Sequence, residues 1–208
     1  WLNTIGINPI FKTGNFGMEG SAYYQQGKTI TGKQAKAFMW STKVFYFSQK
    51  FRLDLGTDYY SGKNMDDLTD QFRTFNPLNY GAHGHLGEMD HFVTIPTAGL
   101  QDHYFKVNWY FTKLLAAKLD LHWFDFAHNQ SNPSEPEEML GRHAGKEIDF
   151  NISFRQSKEV QFTFGYSFFL PTGDYEQYNR INPGESRFAQ WAYLSLLFKP
   201  TLFEYKTK

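Results

Sequence analysis

The sequence predicts an all-β protein, a transmembrane antiparallel up-and-down β-barrel, for three reasons. Runs of about ten residues alternate between apolar and polar side chains, which is the period of a strand with one apolar face. Short and long connections alternate along the chain, as at the two ends of a membrane barrel. Aromatic residues are abundant, with 22 Phe, 13 Tyr and 5 Trp in 208 residues, and a lipid-facing wall accommodates that many.

The composition excludes several other classes. The chain has no cysteine, so it has neither a disulfide framework nor a thiolate metal site. Its longest apolar runs are only a few residues, which is too short for a transmembrane helix. The formal net charge is zero, and no basic patch indicates a nucleic-acid partner. No cofactor is predicted.

The strands are predicted in order along the chain, and those before residue 48 have the least clear pattern. A helix over residues 33–40 remains an alternative there. Later strands alternate cleanly, and in the hairpin of residues 143–172 Ile148 and Phe150 face away from Asp149. The nine predicted strands cover residues 1–11, 16–27, 34–47, 51–60, 102–111, 114–128, 143–155, 160–170 and 187–198.

The lengths of the connections between the strands indicate a membrane protein. Those at 48–50, 112–113 and 156–159 are short, and those at 60–100, 128–142 and 171–186 are long. An outer-membrane barrel has short periplasmic turns and long external loops, whereas a soluble sandwich has no reason for this asymmetry. The prediction is therefore a bacterial outer-membrane protein that contacts the lipid bilayer and lipopolysaccharide. An odd number of strands with two unpaired edges predicts that residues 1–208 are one barrel domain lacking N-terminal strands.

Three parts of the sequence resemble a known family. The runs GLQDHYFKVNWYF with LDLHWFDF, GKEIDFNISF with FGYSFF, and the loop run FNPLNYGAHGHLGEMDHF are similar to the alginate-export-type outer-membrane proteins of Gram-negative bacteria. The loop positions that match the family's run are His83, Gly87, Met89, Asp90 and Phe92. The resemblance covers roughly residues 34–200. It implies a porin-like barrel of about 18 strands with a polar lumen that passes an anionic polysaccharide or smaller solutes.

The polar strand faces predict the lining of this lumen. The predicted channel-lining residues are Arg52, Asp54, Asp58, Lys106, Lys118, Asp120, His122, Glu147, Asp149 and Arg155. A channel for the polyanion alginate needs an excess of Lys and Arg, whereas here acids and bases are mixed. The charges on adjacent strands either set a field across a constriction or form ion pairs that rigidify the wall. The sequence therefore predicts passive transport of hydrophilic solutes, with an oligo- or polysaccharide as one candidate. It predicts no catalysis.

Residues 60–100 are predicted to fold into or over the external mouth of the barrel. Large apolar side chains are too many to leave in water. They are Phe72, Phe75, Leu78, Tyr80, Met89 and Phe92, with Gly81, Gly84 and Gly87 available for tight turns.

Four other interpretations remain open. His83, His85, Glu88, Asp90 and His91 have the chemistry of metal ligands but match no catalytic zinc spacing, so no metal is predicted. The acids Glu135, Glu137 and Glu138 either share a cation with lipopolysaccharide or are simply solvated. His122, Asp120 and Ser153 have the chemistry of hydrolase residues, without a nucleophile motif. The fourth is a structural or assembly subunit of an envelope complex, with a protein partner and a plugged lumen.

Overall fold

The computed structural model describes residues 1–77, 84–185 and 188–200, and within them it is nearly all β. The strands are β1 (Leu2–Ile7), β2 (Ile10–Thr13), β3 (Phe16–Lys28), β4 (Gln34–Phe47), β5 (Phe51–Tyr60), β6 (Leu100–Tyr110), β7 (Leu115–Phe126), β8 (Gln130–Ser131), β9 (Met139–Leu140), β10 (His143–Arg155), β11 (Val160–Pro171) and β12 (Ala189–Phe198), with one helix, α1 (Gly173–Tyr178). No helix in these ranges is long and apolar enough to cross a membrane.

The long strands form one antiparallel sheet. Its order is β1-β3-β4-β5-β6-β7-β10-β11-β12, with β2 also paired to β3, while β8 and β9 make a separate small ribbon. Each long strand therefore lies beside the long strands that precede and follow it in the chain. This up-and-down order confirms the predicted fold class.

The register pairs like side chains with like. Between β10 and β11, Phe150 lies opposite Tyr166 and Ile152 opposite Phe164, while Asp149 lies opposite Ser167. A slip of one residue would move every apolar side chain to the other face. The alternation that identifies the strands therefore also fixes how they pair.

From β5 to β11 the sheet is mainly buried on its polar face and more exposed on its apolar face, whereas β2 and β12 are largely exposed on both. The side chains of Asp120, Glu147 and Asp149 are at most 1% exposed, whereas Leu55 is 58% and Leu194 is 77% exposed. A water-soluble sheet has the opposite arrangement. Exposed apolar side chains on one face and covered polar ones on the other suit a wall between lipid and a lumen.

The N-terminal elements differ from the prediction. The first predicted strand is broken at Asn8 and Pro9 into β1 and β2, which both pair with β3. Proline has no N–H for the ladder, although the carbonyl of Pro9 still accepts from the N–H of Gly20 at 3.0 Å. The helix considered for residues 33–40 is wrong, because β4 occupies this region, with Ala35 and Ala37 buried and Phe38 exposed.

The connections also contain more structure than predicted. Where the structure describes them, two of the three long ones hold regular elements, namely the β8–β9 ribbon and α1. Thr172 caps α1, since its Oγ1 accepts from the N–H of Tyr175 at 3.2 Å. The turn after β6 is wider than residues 112–113, because the N–H groups of Phe111 and Thr112 both donate to the carbonyl of Leu115. Residues 29–33 form a short connection at the end of the sheet that carries the long ones.

Candidate functional site

The candidate site is the charged face of β5, β6, β7 and β10. Strand alternation turns the predicted lining residues to this face. Near the end with the short turns, Arg52 donates to both carboxylate oxygens of Asp54, at 2.7 Å from Nη2 and 2.9 Å from Nε. The guanidinium also lies over the ring of Phe45, 4.5 Å from its centroid. Arg52 is therefore held flat against the wall by a charge-assisted fork and a cation–π contact.

Asp120 is the centre of the charged face. Lys118 Nζ lies 2.8 Å from Asp120 Oδ2, and Lys106 Nζ lies 3.5 Å from the same oxygen. The register explains the convergence, since Lys106 and Asp149 lie opposite Asp120 on the two neighbouring strands. Both lysines are thus compensated by one buried carboxylate. Ion pairs that rigidify the wall are therefore part of the arrangement.

Two His–Asp contacts lie on the same face nearer the long connections. His122 Nδ1 is 2.8 Å from Asp102 Oδ2, and both side chains are fully buried. His85, from the loop, approaches Asp58 at 3.2 Å between Nε2 and Oδ2. Asp102 is absent from the predicted lining, although counting back two residues from Tyr104 would have found it. It adds one more acid to a mixed face.

Part of the long loop is seated on this wall, and we call residues 84–92 the seated segment. The N–H of Met89 donates to Glu147 Oε1 at 2.8 Å, and the N–H of Glu88 donates to Asp149 Oδ2 at 3.3 Å. Glu88 Oε1 in turn accepts from Lys118 Nζ at 3.3 Å. Leaving a buried carboxyl oxygen or backbone N–H without such a hydrogen bond costs about 1–3 kcal/mol. Glu147 and Asp149, which have no lysine partner among the described residues, therefore serve as acceptors for the loop backbone.

Gly87 allows this close approach. Its φ is +85°, which a residue with a Cβ adopts only with strain. A Cβ at this position would stand 2.4 Å from Glu147 Oε1. Glycine therefore meets two requirements at this position: it adopts the positive φ without strain, and it has no Cβ to clash with Glu147.

Apolar side chains hold the rest of the loop. The ring of Phe92 lies 4.5 Å from that of Phe124, centroid to centroid, and is 1% exposed. Burying a side chain of this size contributes about 1.5–3 kcal/mol. The buried cluster also contains Phe75, Leu86, Ile95, Leu100, Phe126 and Phe169. Apolar burial and backbone hydrogen bonds therefore act together to seat the loop on the wall.

Several predicted residues lie elsewhere. His83 lies outside the described residues, as do Leu78, Tyr80 and Gly81. Arg155 lies at the far end of β10, away from the lysines around Asp120. Asp90 adopts a left-handed conformation, with φ of 59°. In the described ranges, no three His, Asp or Glu side chains come together in a way that would hold a metal ion.

The hydrolase interpretation does not match the geometry. His122 pairs with Asp102 rather than Asp120, and Ser153 shares a hydrogen bond of 3.0 Å with Thr163. His122 lies opposite Glu147, six residues along β10 from Ser153, or about 20 Å at the rise of a strand. These side chains therefore form no nucleophile–base pair.

Comparison with known proteins agrees with the fold. The family model described as alginate export matches residues 2–190. The chain belongs to the alginate export family. Members of the alginate export family are outer-membrane β-barrels with an export or channel function. A search among curated proteins finds no match.

In this member of the alginate export family, acid should loosen the seated segment. The ring of His91 lies 4.3 Å from that of Phe169, and its Nδ1 is 3.2 Å from the hydroxyl of Tyr175. Burial lowers the pKa of His91 below its ordinary value of 6.5, against the smaller opposing effect of Asp90. Below pH 6.5, His91 binds a proton more readily when the segment is released than when it is seated. Seating therefore weakens as the pH falls towards the lowered pKa of His91.

Proteolysis would measure this effect. We expect proteinase K to cut residues 84–92 faster at pH 5 than at pH 7.5, after correction with a peptide substrate at each pH. His85, in the same segment, is a second histidine whose pKa burial lowers, although the carboxylate of Asp58 opposes that shift. A variant is therefore needed to identify the group responsible. A His91→Phe variant keeps a ring against Phe169 and should lose most of the pH effect. If that variant keeps all of it, His91 is not the group responsible.

Proposed function

We propose that this chain forms one wall of an outer-membrane channel that passes hydrophilic solutes passively, and that the seated segment narrows it. The observation that carries the proposal is the covered polar face with a loop of the same chain hydrogen-bonded to its centre. Polar contacts continue across this face onto β3 and β4, where Lys43 Nζ lies 2.7 Å from Glu19 Oε2. Such a surface offers weak, exchangeable hydrogen bonds to a passing solute.

The charges favour neutral solutes over a polyanion. Beyond the acids predicted from the sequence, Asp102 and the loop residue Glu88 contribute carboxylates to this face. An alginate channel would need the opposite excess, since like charges repel a polyanion from a narrow passage. Small hydrophilic solutes and uncharged oligosaccharides are therefore the substrate class that we propose.

Neutralising the central acids should shift ion selectivity towards anions. We expect the unmodified channel to be weakly selective, because acids and bases are mixed on the wall. Replacing Asp120 and Asp149 with Asn leaves Lys106 and Lys118 without their main counter-charge. Reversal potentials under a salt gradient would measure the shift, which should shrink at 1 M salt, where the screening length is about 3 Å.

The matched control is Asp125→Asn, which removes a carboxylate from the outward face. It should leave the reversal potential unchanged. Strong anion selectivity in the unmodified protein would contradict the mixed-wall proposal and favour an anionic polysaccharide.

One observation favours the rival function, a structural subunit with a plugged lumen. The buried cluster around Phe92 and Phe124 fills the space beside the wall with apolar side chains. An open lumen would have polar side chains in contact with water at this place. Planar-bilayer recording of the full chain separates the two functions. A channel gives stable open steps at low voltage, whereas a plugged scaffold gives none, and that result would overturn our proposal.

A further inference from the structure

The outward face of the sheet has an asymmetric charge distribution. Strand alternation places three lysines and one aspartate on this face in the described strands, at the ends next to residues 29–33 and the long connections. They are Lys28, Lys36, Asp125 and Lys146. The rest of the face is apolar or uncharged. Its charged margin is therefore net positive, which is complementary to anionic head groups of a membrane.

A groove of about 640 Å³ lies on the outward face beside Lys146. One side of the groove is a cross-strand row of apolar side chains, Leu55, Phe105, Leu121 and Ile148. The next row towards the long connections forms the other side and holds Thr57, His103, Trp123 and Lys146. Apolar side chains thus face hydrogen-bonding and cationic groups across the groove.

Lys146 has no carboxylate partner among the described residues. Its Nζ stands 4.0 Å from the ring centroid of Trp123. The nearest outward acid in the register, Asp125, instead contacts His143 Nδ1 at 2.9 Å and accepts from Trp123 Nε1 at 3.3 Å. The ammonium group is therefore held at the edge of the groove by an aromatic ring, and no carboxylate in the described part of the chain compensates its charge.

We propose that this groove binds a phosphate-bearing lipid of the surrounding membrane. The acyl chain lies along the row from Leu55 to Ile148, and the phosphate lies at Lys146 with His103 beside it. A lysine ammonium is a good phosphate ligand, because the bond is charge-assisted and needs no fixed fork geometry. The inference rests on the membrane location that belongs to the proposed function and is independent of solute transport.

Native mass spectrometry of the detergent-solubilised full chain tests the site. The probes are lipid A with its two phosphates, the same lipid dephosphorylated, and inorganic phosphate alone. We expect Lys146→Gln to weaken binding of the phosphorylated lipid about fivefold to tenfold and to leave the dephosphorylated lipid unaffected. Leu55→Trp fills the groove and should weaken both lipids. Lys36→Gln, an outward lysine that does not line the groove, is the matched control.

Equal binding of the two lipids, or equal effects of Lys146→Gln and Lys36→Gln, would overturn the proposal. Binding of inorganic phosphate as tightly as the lipid would also overturn it, because the groove would then play no part. If Lys146→Gln does not fold, Lys146→Arg should bind the phosphorylated lipid as the unmodified protein does, while His103→Gln and Leu55→Trp weaken it. Conductance is recorded in parallel, so loss of lipid with open steps intact separates failure of this site from failure of the channel.

Discussion

Replacing Phe150 with Arg should lower the free energy of unfolding by about 2–4 kcal/mol, the cost of a charged side chain at the middle of a lipid-facing wall. Phe150 lies midway along β10, on the outward face, between Leu119 on one neighbouring strand and Tyr166 on the other. The Tyr166 hydroxyl is already engaged, since it donates to Gln190 Oε1 at 2.7 Å, and the Arg side chain would lie far from either end of the strand. Urea unfolding of the protein refolded into lipid vesicles, followed by tryptophan fluorescence, measures the change.

Thr163→Arg is the matched inward variant. Thr163 is half-buried on the polar face, and its hydroxyl shares hydrogen bonds with Ser153 and Gln161, so an Arg there can extend into the lumen. We expect it to cost less than about 1 kcal/mol, as lumen substitutions change selectivity more than stability. Asp149 is a poorer control, because it accepts a hydrogen bond from the seated segment. A silent Phe150→Arg with a destabilising Thr163→Arg would mean that the two faces are assigned the wrong way round.

Replacing Gly87 with Ala should release the seated segment. The added Cβ would stand 2.4 Å from the carboxylate oxygen that accepts the N–H of Met89, so that hydrogen bond and the close contact are incompatible. Leaving this buried carboxyl oxygen without its hydrogen bond costs about 1–3 kcal/mol. We therefore expect proteinase K to cut residues 84–92 at least about fivefold faster, and single-channel conductance to rise.

Gly84→Ala is the control for backbone strain. Gly84 lies in the same loop with a φ of +72°, so an alanine there is strained to a similar degree. Among the described residues, its Cβ would meet the side chain of Glu88, with Oε1 at 3.5 Å, and no atom of the wall. Equal effects of the two substitutions would mean that strain in the loop, rather than its contact with Glu147, controls seating.

Local information was sufficient for the sheet. Side chains of a strand alternate with period two whatever surrounds them, so the pattern of β10 and β11 determined which residues form strands, which face each side chain takes and how the hairpin pairs. The prediction of one strand over residues 1–11 missed the break at Asn8 and Pro9, although a local rule indicates it, because proline lacks the N–H that a ladder needs. The helix over residues 33–40 was only an alternative to the strand predicted there, and it arose because Ala35 and Ala37 fit either kind of element.

Only the tertiary structure decided how the candidate site is assembled. The two hydrogen bonds that seat the loop connect residues that are far apart in the sequence, with separations of 58 and 61 positions. No pattern of spacing indicates which backbone N–H reaches Glu147 or Asp149. In the same way, Asp102 rather than Asp120 pairs with His122, because the register of β6 and β7 sets that contact. The sequence by itself determined a wall with one apolar and one charged face, since that depends on neighbours two residues apart. The tertiary structure decided which charges are compensated by lysine and which by the loop, because those contacts depend on where folding brings distant segments together.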